Sequence, residues 1–177
     1  WSAQLSNSAL SLNAVHFLNE KQGWVAGESG ALLATTDGGE TWKPLTEGSQ
    51  ELLNAVSFLN EQRGWAVGGN GTILATVDGN RWQTQPSKVA ANLRSVQFVN
   101  PQQGWITGER GTLLQTTDGG MEWKLINSGT EQNFHGAAFL DANTGWVVGE
   151  VGLLWYTRDG GVHWEPQNSN TQAWLEA

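Results

Sequence analysis

Apolar and polar positions alternate in short runs along the whole chain, and the runs recur. Ala14–Asn19 (AVHFLN) alternates and is rich in Val and Phe, which predicts a strand; AVSFLN, SVQFVN and AAFLD return later. A turn of fixed form follows, Asn19 to Gly23, then Asn60 to Gly64, Asn100 to Gly104 and Asp141 to Gly145. Asn or Asp opens such a turn by bonding its side chain to the backbone ahead. Next come a second strand (GWVAG and its copies), a short turn (ESG, GNG, ERG, EVG) and a third strand (ALLATT, TILATV, TLLQTT, LLWYTR). An Asp-Gly turn then leads into a fourth strand at a second Trp. No segment keeps a helical period.

Trp24, Trp65, Trp105 and Trp146 lie 41, 40 and 41 residues apart, and Asp37, Asp78, Asp118 and Asp159 keep step with them. A fixed period of about 41 residues means one supersecondary unit in tandem. Four antiparallel strands joined by hairpins form a meander, and tandem meanders are the blades of a β-propeller. The expected fold is therefore all-β: a single propeller over 1–177, with blades at 11–50, 51–90, 91–131 and 132–174. Trp1 precedes Asn13 by 12 residues, as Trp42 precedes Asn54, so residues 1–10 read as an orphan N-terminal outer strand. Three closures satisfy this pattern: a longer propeller, a ring closed through a second chain, and a self-closed ring of four blades. An incomplete or oligomer-closed propeller is expected over the self-closed ring.

The Asp turn is the most specific local signal. Thr35-Thr-Asp37-Gly-Gly-Glu-Thr-Trp42 resembles the Asp-box, or BNR repeat. The match is full at Thr116–Trp123 and Thr157–Trp164, while Thr76–Trp82 is one residue short. The carboxylate is expected to accept backbone N–H groups across the turn, Gly to supply the left-handed residue, and Trp to pack beneath. Asp37, Trp42, Asp78, Trp82, Asp118, Trp123, Asp159 and Trp164 are thus read as structural. Each Asp serves its own blade, which argues against a shared metal or catalytic array.

Composition narrows the function. The 177 residues hold 11 Trp, 23 Gly and no Cys, which excludes disulfides, thiolate metal sites and cysteine nucleophiles. The formal net charge is -8, and nine Lys and Arg stand singly, so neither nucleic-acid binding nor an anionic membrane surface is expected. No stretch approaches a membrane span. His16, His135 and His163 lack metal-ligand spacing, and Asp141–Gly145 has no acidic residue placed to complete a calcium loop. No cofactor or metal is expected.

Sialidases also carry Asp-boxes, and a resemblance to them would imply an arginine triad and a Tyr nucleophile. Here the lone Tyr156 precedes an Asp-box. By repeat position Arg63, Arg81 and Arg158 fall near one end of the blades and Arg94 and Arg110 near the other. They do not converge, and no enzyme activity is expected. What remains is surface. The repeats differ most in the turn after the second strand and in the linkers, at Glu28, Asn70, Glu109, Arg110 and Glu150. Asn13, Asn54, Arg94 and His135 lie beside these, at the start of the innermost strand near the axis. Variable loops on one face of a rigid scaffold are the usual layout of a binding surface. The candidate binding residues are Glu28, Asn70, Arg94, Glu109, Arg110, His135 and Glu150.

The longer pattern Gly-Trp-x-(Val/Ala/Thr)-Gly-x-x-Gly-x-(Ile/Leu)-Leu-x-Thr-x-Asp-Gly-Gly-x-x-Trp is carried by Gly23, Trp24, Gly27, Gly30, Asp37, Trp42 and their counterparts. It resembles the photosystem II stability/assembly factor family over essentially the whole chain. The resemblance implies a propeller, commonly seven-bladed, acting as a non-catalytic assembly factor in the thylakoid lumen, or an exported bacterial relative. The chain departs from it in showing four units, in lacking the arginine cluster expected of photosynthetic members, and in Trp155, which replaces the second Leu of the third strand. The expected role is a protein-binding or assembly scaffold, exported to the periplasm or thylakoid lumen, with a protein partner. The alternative is a carbohydrate-active or carbohydrate-binding module, glycosidase-like or lectin-like. An exposed Trp155 or Trp174 beside carboxylates would favour it.

Overall fold

The computed structural model describes residues 4–6, 8–45 and 49–176. Sixteen strands form four sheets, each a meander of four consecutive antiparallel strands. Blade 1 holds β1 (Leu12–Phe17), β2 (Gly23–Gly27), β3 (Leu32–Thr35) and β4 (Lys43–Pro44). Blade 2 holds β5 (Leu53–Phe58), β6 (Gly64–Gly68), β7 (Ile73–Thr76) and β8 (Gln83–Gln85). Blade 3 holds β9 (Leu93–Phe98), β10 (Gly104–Gly108), β11 (Leu113–Thr116) and β12 (Lys124–Leu125). Blade 4 holds β13 (Phe134–Phe139), β14 (Gly145–Gly149), β15 (Leu154–Thr157) and β16 (Glu165–Pro166). The innermost strands β1, β5, β9 and β13 pack side by side in that order; among the described residues β13 makes no comparable contact with β1.

Two boundaries differ from the alternation pattern. The first strands begin earlier, at Leu12 rather than Ala14 in blade 1, because a bulge between Leu12 and Ala14 keeps both in the ladder. They also end earlier: Asn19 leaves the strand so that its Oδ1 can accept the N–H groups of Lys21 and Gln22. The fourth strands begin after the Trp rather than at it, since that Trp closes the Asp turn. Of the expected outer strand 1–10, Trp1–Ala3 and Asn7 lie outside the described residues. Residues 4–6 and 8–10 are not paired as a strand. They have no third strand of their own blade to pair with among the described residues. Gln4 nevertheless donates from Nε2 to Gly38 O at 3.2 Å, as Gln85 of blade 2 donates to Gly119 O of blade 3 at 3.4 Å.

The core lies between blades, and its repeated unit is aromatic. Trp24 stacks on Phe58 with ring centroids 3.7 Å apart, Trp65 on Phe98 at 3.4 Å and Trp105 on Phe139 at 3.8 Å. Each Phe also meets the Asp-box Trp of its own blade edge-on: Phe58 with Trp82, Phe98 with Trp123, Phe139 with Trp164. The Gly of each Gly-Trp pair is needed here: a Cβ at Gly104 would sit 2.6 Å from the Phe98 ring. Leu53, Val56, Leu93, Val96 and Phe134 fill the space beside the rings and are buried.

The Asp turns are built as their residue types require. Thr35 Oγ1 donates to Asp37 Oδ1 at 2.7 Å and accepts from Gly39 N–H at 2.9 Å; Asp37 Oδ1 accepts from Thr41 N–H at 2.9 Å. Blades 3 and 4 repeat this through Thr116–Asp118 and Thr157–Asp159. In the short box of blade 2, Asp78 Oδ1 reaches Asn80 N–H and Arg81 N–H instead. Gly120 has φ +90°, and a Cβ there would run into Gln85, whose Oε1 also accepts from Trp123 Nε1.

Bonds from Thr41 hold the Asp37 carboxyl down at about 2, and bonds from His163 hold Asp159 at about 2. Asp78 and Asp118 are lowered mainly by backbone N–H groups, of Arg81 and Glu122. A carboxyl whose folded value is depressed stabilises the fold above its ordinary value near 3.8, and that contribution is lost as pH falls through the folded value. Urea unfolding measured against pH will therefore lose stability most steeply between about pH 4 and pH 2, and Asp159→Asn will flatten that limb. A second outcome follows from the stacks. Phe98→Ala will cost about 3–5 kcal/mol in urea unfolding, the usual cost of removing a buried aromatic. Phe17→Ala, at a position 41% exposed, will cost less than half as much.

Candidate functional site

Each blade begins its innermost strand close to the axis, so equivalent residues of successive blades converge there. Asn13, Asn54, Arg94, His135 and Glu176 stand at one repeat position and line one cavity of about 280 Å³. The two Asn hold the arc together: Asn13 Nδ2 donates to Leu53 O at 3.2 Å, and Asn54 Nδ2 to Leu93 O at 2.9 Å. Arg94 Nη2 donates to Glu109 Oε1 at 2.7 Å. Its Nε is buried with no partner among the described residues, as is His135 Nε2. His135 stacks on Trp174 at 5.6 Å, and Trp174 is 62% exposed. The cavity thus gathers one cation, one carboxylate, one imidazole and two amides, with unspent hydrogen-bonding atoms at Arg94 and His135.

Of the seven residues expected to bind, Arg94 and His135 are brought together in this mouth. The others lie further out in the turns after the second strands, and several are spent on the fold. Glu28 Oε2 accepts from Ser11 N–H at 3.1 Å, and Glu150 Oε1 accepts from Asn133 Nδ2 at 2.9 Å. Glu109 accepts from Asn92 Nδ2 at 3.1 Å as well as from Arg94. In each case a carboxylate ties the turn to the incoming linker. Asn70 donates to Glu51 Oε1 at 3.0 Å. Ser29, Asn70, Arg110 and Val151 occupy the left-handed turn position, with φ between 51° and 55°. Arg110 faces a separate groove, with Val89, Leu125 and Ile126.

Glu176 and Trp174 were not among the residues expected to bind, although the register held the signal. Glu176 follows Trp164 by 12 residues, as Asn13 follows Trp1. Trp155 packs into the blade 3–blade 4 core against Phe134 and is half-buried. Arg158 lies over the Tyr156 ring at 5.2 Å, and Arg63 reaches Pro101 O, far from Arg94 in the repeat. Asp141 Oδ1 accepts from Asn143 and Thr144 N–H, which lowers its pKa and makes this the same turn as Asn19–Gly23. His16 packs on Phe58 at 6.3 Å, and burial lowers its pKa. Among the described residues no group of three or more His, Asp or Glu could hold a metal ion. No helix is long and apolar enough to cross a membrane.

No curated protein sequence matches the chain. Solved structures match its fold. YCF48 bound to a D1 peptide is 19% identical with a TM-score of 0.65, the match covering 94% of this chain and 84% of that one. YCF48 from Cyanidioschyzon merolae is 15% identical, TM-score 0.57, covering 93% and 87%. The GH74 xyloglucanase from Xanthomonas campestris is 16% identical, TM-score 0.64, covering 87% of this chain but 27% of its own. At these identities the likeness is one of fold. The BNR/Asp-box repeat model matches residues 33–44. The model of the photosynthesis system II assembly factor YCF48 matches residues 44–117 and 115–176, which is most of the chain. With its four Asp-turn meanders around a polar mouth, the chain belongs to the YCF48 assembly-factor family of β-propellers.

Proposed function

We propose that this protein is a non-catalytic peptide-binding scaffold whose axial mouth takes a segment of a partner protein. The observation that carries the reading is the pair of buried, unpartnered atoms in one cavity, Arg94 Nε and His135 Nε2. A buried polar group without a partner costs about 1–3 kcal/mol, and a ligand acceptor at Arg94 recovers that cost. The Arg94 guanidinium suits a peptide carbonyl or carboxylate oxygen. Trp174 offers an exposed ring at the rim, next in line to Glu176. A related YCF48 binds a D1 peptide, which supports a peptide as the ligand class.

A second reading has one observation in its favour. Trp174 is exposed, stacked on His135 and close in sequence to the Glu176 carboxylate, an arrangement that also suits a sugar ring.

Titration of a fluorescent D1 peptide and of a peptide array tests the first reading. Arg94→Ala and His135→Ala will each weaken binding about tenfold, the equivalent of one lost hydrogen bond of about 1.4 kcal/mol. Val162→Ala, at the Asp-turn end, will bind as the wild type does. A folded double variant of Arg94 and His135 with unchanged affinity, or no binding to any peptide, overturns the reading. Binding of xyloglucan oligosaccharides that Trp174→Ala abolishes would favour the second.

A further inference from the structure

We propose that the two open faces of the blade arc bind each other between copies of this chain, head to tail, by the contact that already joins its blades. That contact occurs three times within the molecule. One blade offers the second-strand Trp: Trp24, Trp65 or Trp105. The next offers three first-strand residues: Leu53, Val56 and Phe58; Leu93, Val96 and Phe98; or Phe134, Ala137 and Phe139. In each case the rings lie nearly parallel, within 13°.

Each half of this contact stands open once. On blade 1, Leu12, Val15 and Phe17 hold the receiving positions, and they are 36%, 65% and 41% exposed where their counterparts Leu53, Val56 and Phe58 are 0%, 8% and 4%. On blade 4, Trp146 holds the donating position. It meets no Phe and leans on Tyr156 of its own blade at 4.9 Å. Leu140 beside it is 74% exposed, whereas Leu18 and Leu59 at the same repeat position pack against the next blade. Two apolar faces that are the unmatched halves of one repeated contact fit each other, and one molecule carries both. The contact is therefore heterologous, closing a ring or propagating according to the rotation between copies.

The terminal stretches hold places that the second copy would take. Gln4 rests on Gly38 where a neighbouring outer strand would rest, and it is exposed. Gln167 stands at the same repeat position as Gln85, following its Asp-box Trp by three residues as Gln85 follows Trp82. Docking therefore exchanges one glutamine for another. Leu175 and Glu176 yield in the same way to Leu12 and Asn13 of the second copy, which brings a second set of mouth residues beside His135.

Light scattering from ~1 to ~500 μM, the range in which weak protein contacts populate, tests this. The wild type is expected at twice the single-chain mass or more at the upper end. Val15→Glu and Leu140→Glu alter exposed positions on opposite faces, so each is expected to keep the wild-type thermal midpoint and fall back to single-chain mass. An equal mixture of the two variants is expected to form a two-chain species, because each still carries one intact face. A wild type of single-chain mass throughout overturns the proposal. So does either variant assembling as the wild type does, or a mixture that stays at single-chain mass, which would mean that like faces meet.

Discussion

The stack of a Trp from one blade on a Phe of the next is the contact on which the molecule depends. A four-stranded meander of about 40 residues is too thin to enclose a core of its own. Its strands bury their side chains only against a neighbouring blade. The Trp24–Phe58, Trp65–Phe98 and Trp105–Phe139 stacks supply large apolar areas at the three junctions. Each Phe is clamped a second time by the Asp-box Trp of its own blade, and the ring lies over a Gly that leaves room for it. One ring thus links the inner strand, the second strand and the outer turn of its blade to the blade before it.

This dependence explains how much of the fold was legible in the chain. Gly-Trp, the Phe six residues before that Gly, and the Thr-x-Asp turn are all parts of the junction, so all of them recur. Their recurrence gave four units and the order of strands within each. The strand limits were less legible. Leu12 joins the ladder through a bulge, which alternation does not encode, and Asn19 leaves it because a side-chain bond to the turn outcompetes pairing. Burial was legible only in part. Phe17 and Phe58 hold the same repeat position in similar strands, yet one is 41% exposed and the other 4%. The difference lies in what stands beside the blade, and no local pattern records that.

The mouth was legible by a different route. Its residues share no chemistry, since Asn, Asn, Arg, His and Glu follow one another around it; they share a place in the repeat. Counting from the Asp-box Trp leads to each of them, including Glu176. The variable turn residues misled in a more instructive way. Glu28, Glu109 and Glu150 look like free charges on a variable loop, but their oxygens are taken up by Ser11, Asn92 and Asn133 at the linker ends. Those partners lie 17 residues upstream, across a bulged strand and a turn. A carboxylate that holds a linker and one that meets a ligand have the same letter, and only the pairing separates them.

The same logic locates where this scaffold can vary at low cost. A residue at the junction touches two blades, so replacing it disturbs a contact that must be remade on both sides. A residue at the start of an inner strand touches the next blade mainly through its backbone: Leu53 O and Leu93 O accept the Asn13 and Asn54 amides whatever side chains follow. From Arg94 onward the position no longer supplies that bond, and its side chains turn to Glu109 and Trp174 instead. The arc is then held by the aromatic stacks and by bonds such as the pair that Gln97 makes with the Phe139 backbone. Freeing Arg94 and His135 from the work of joining blades leaves their polar atoms unspent at the axis, where a ligand can reach them.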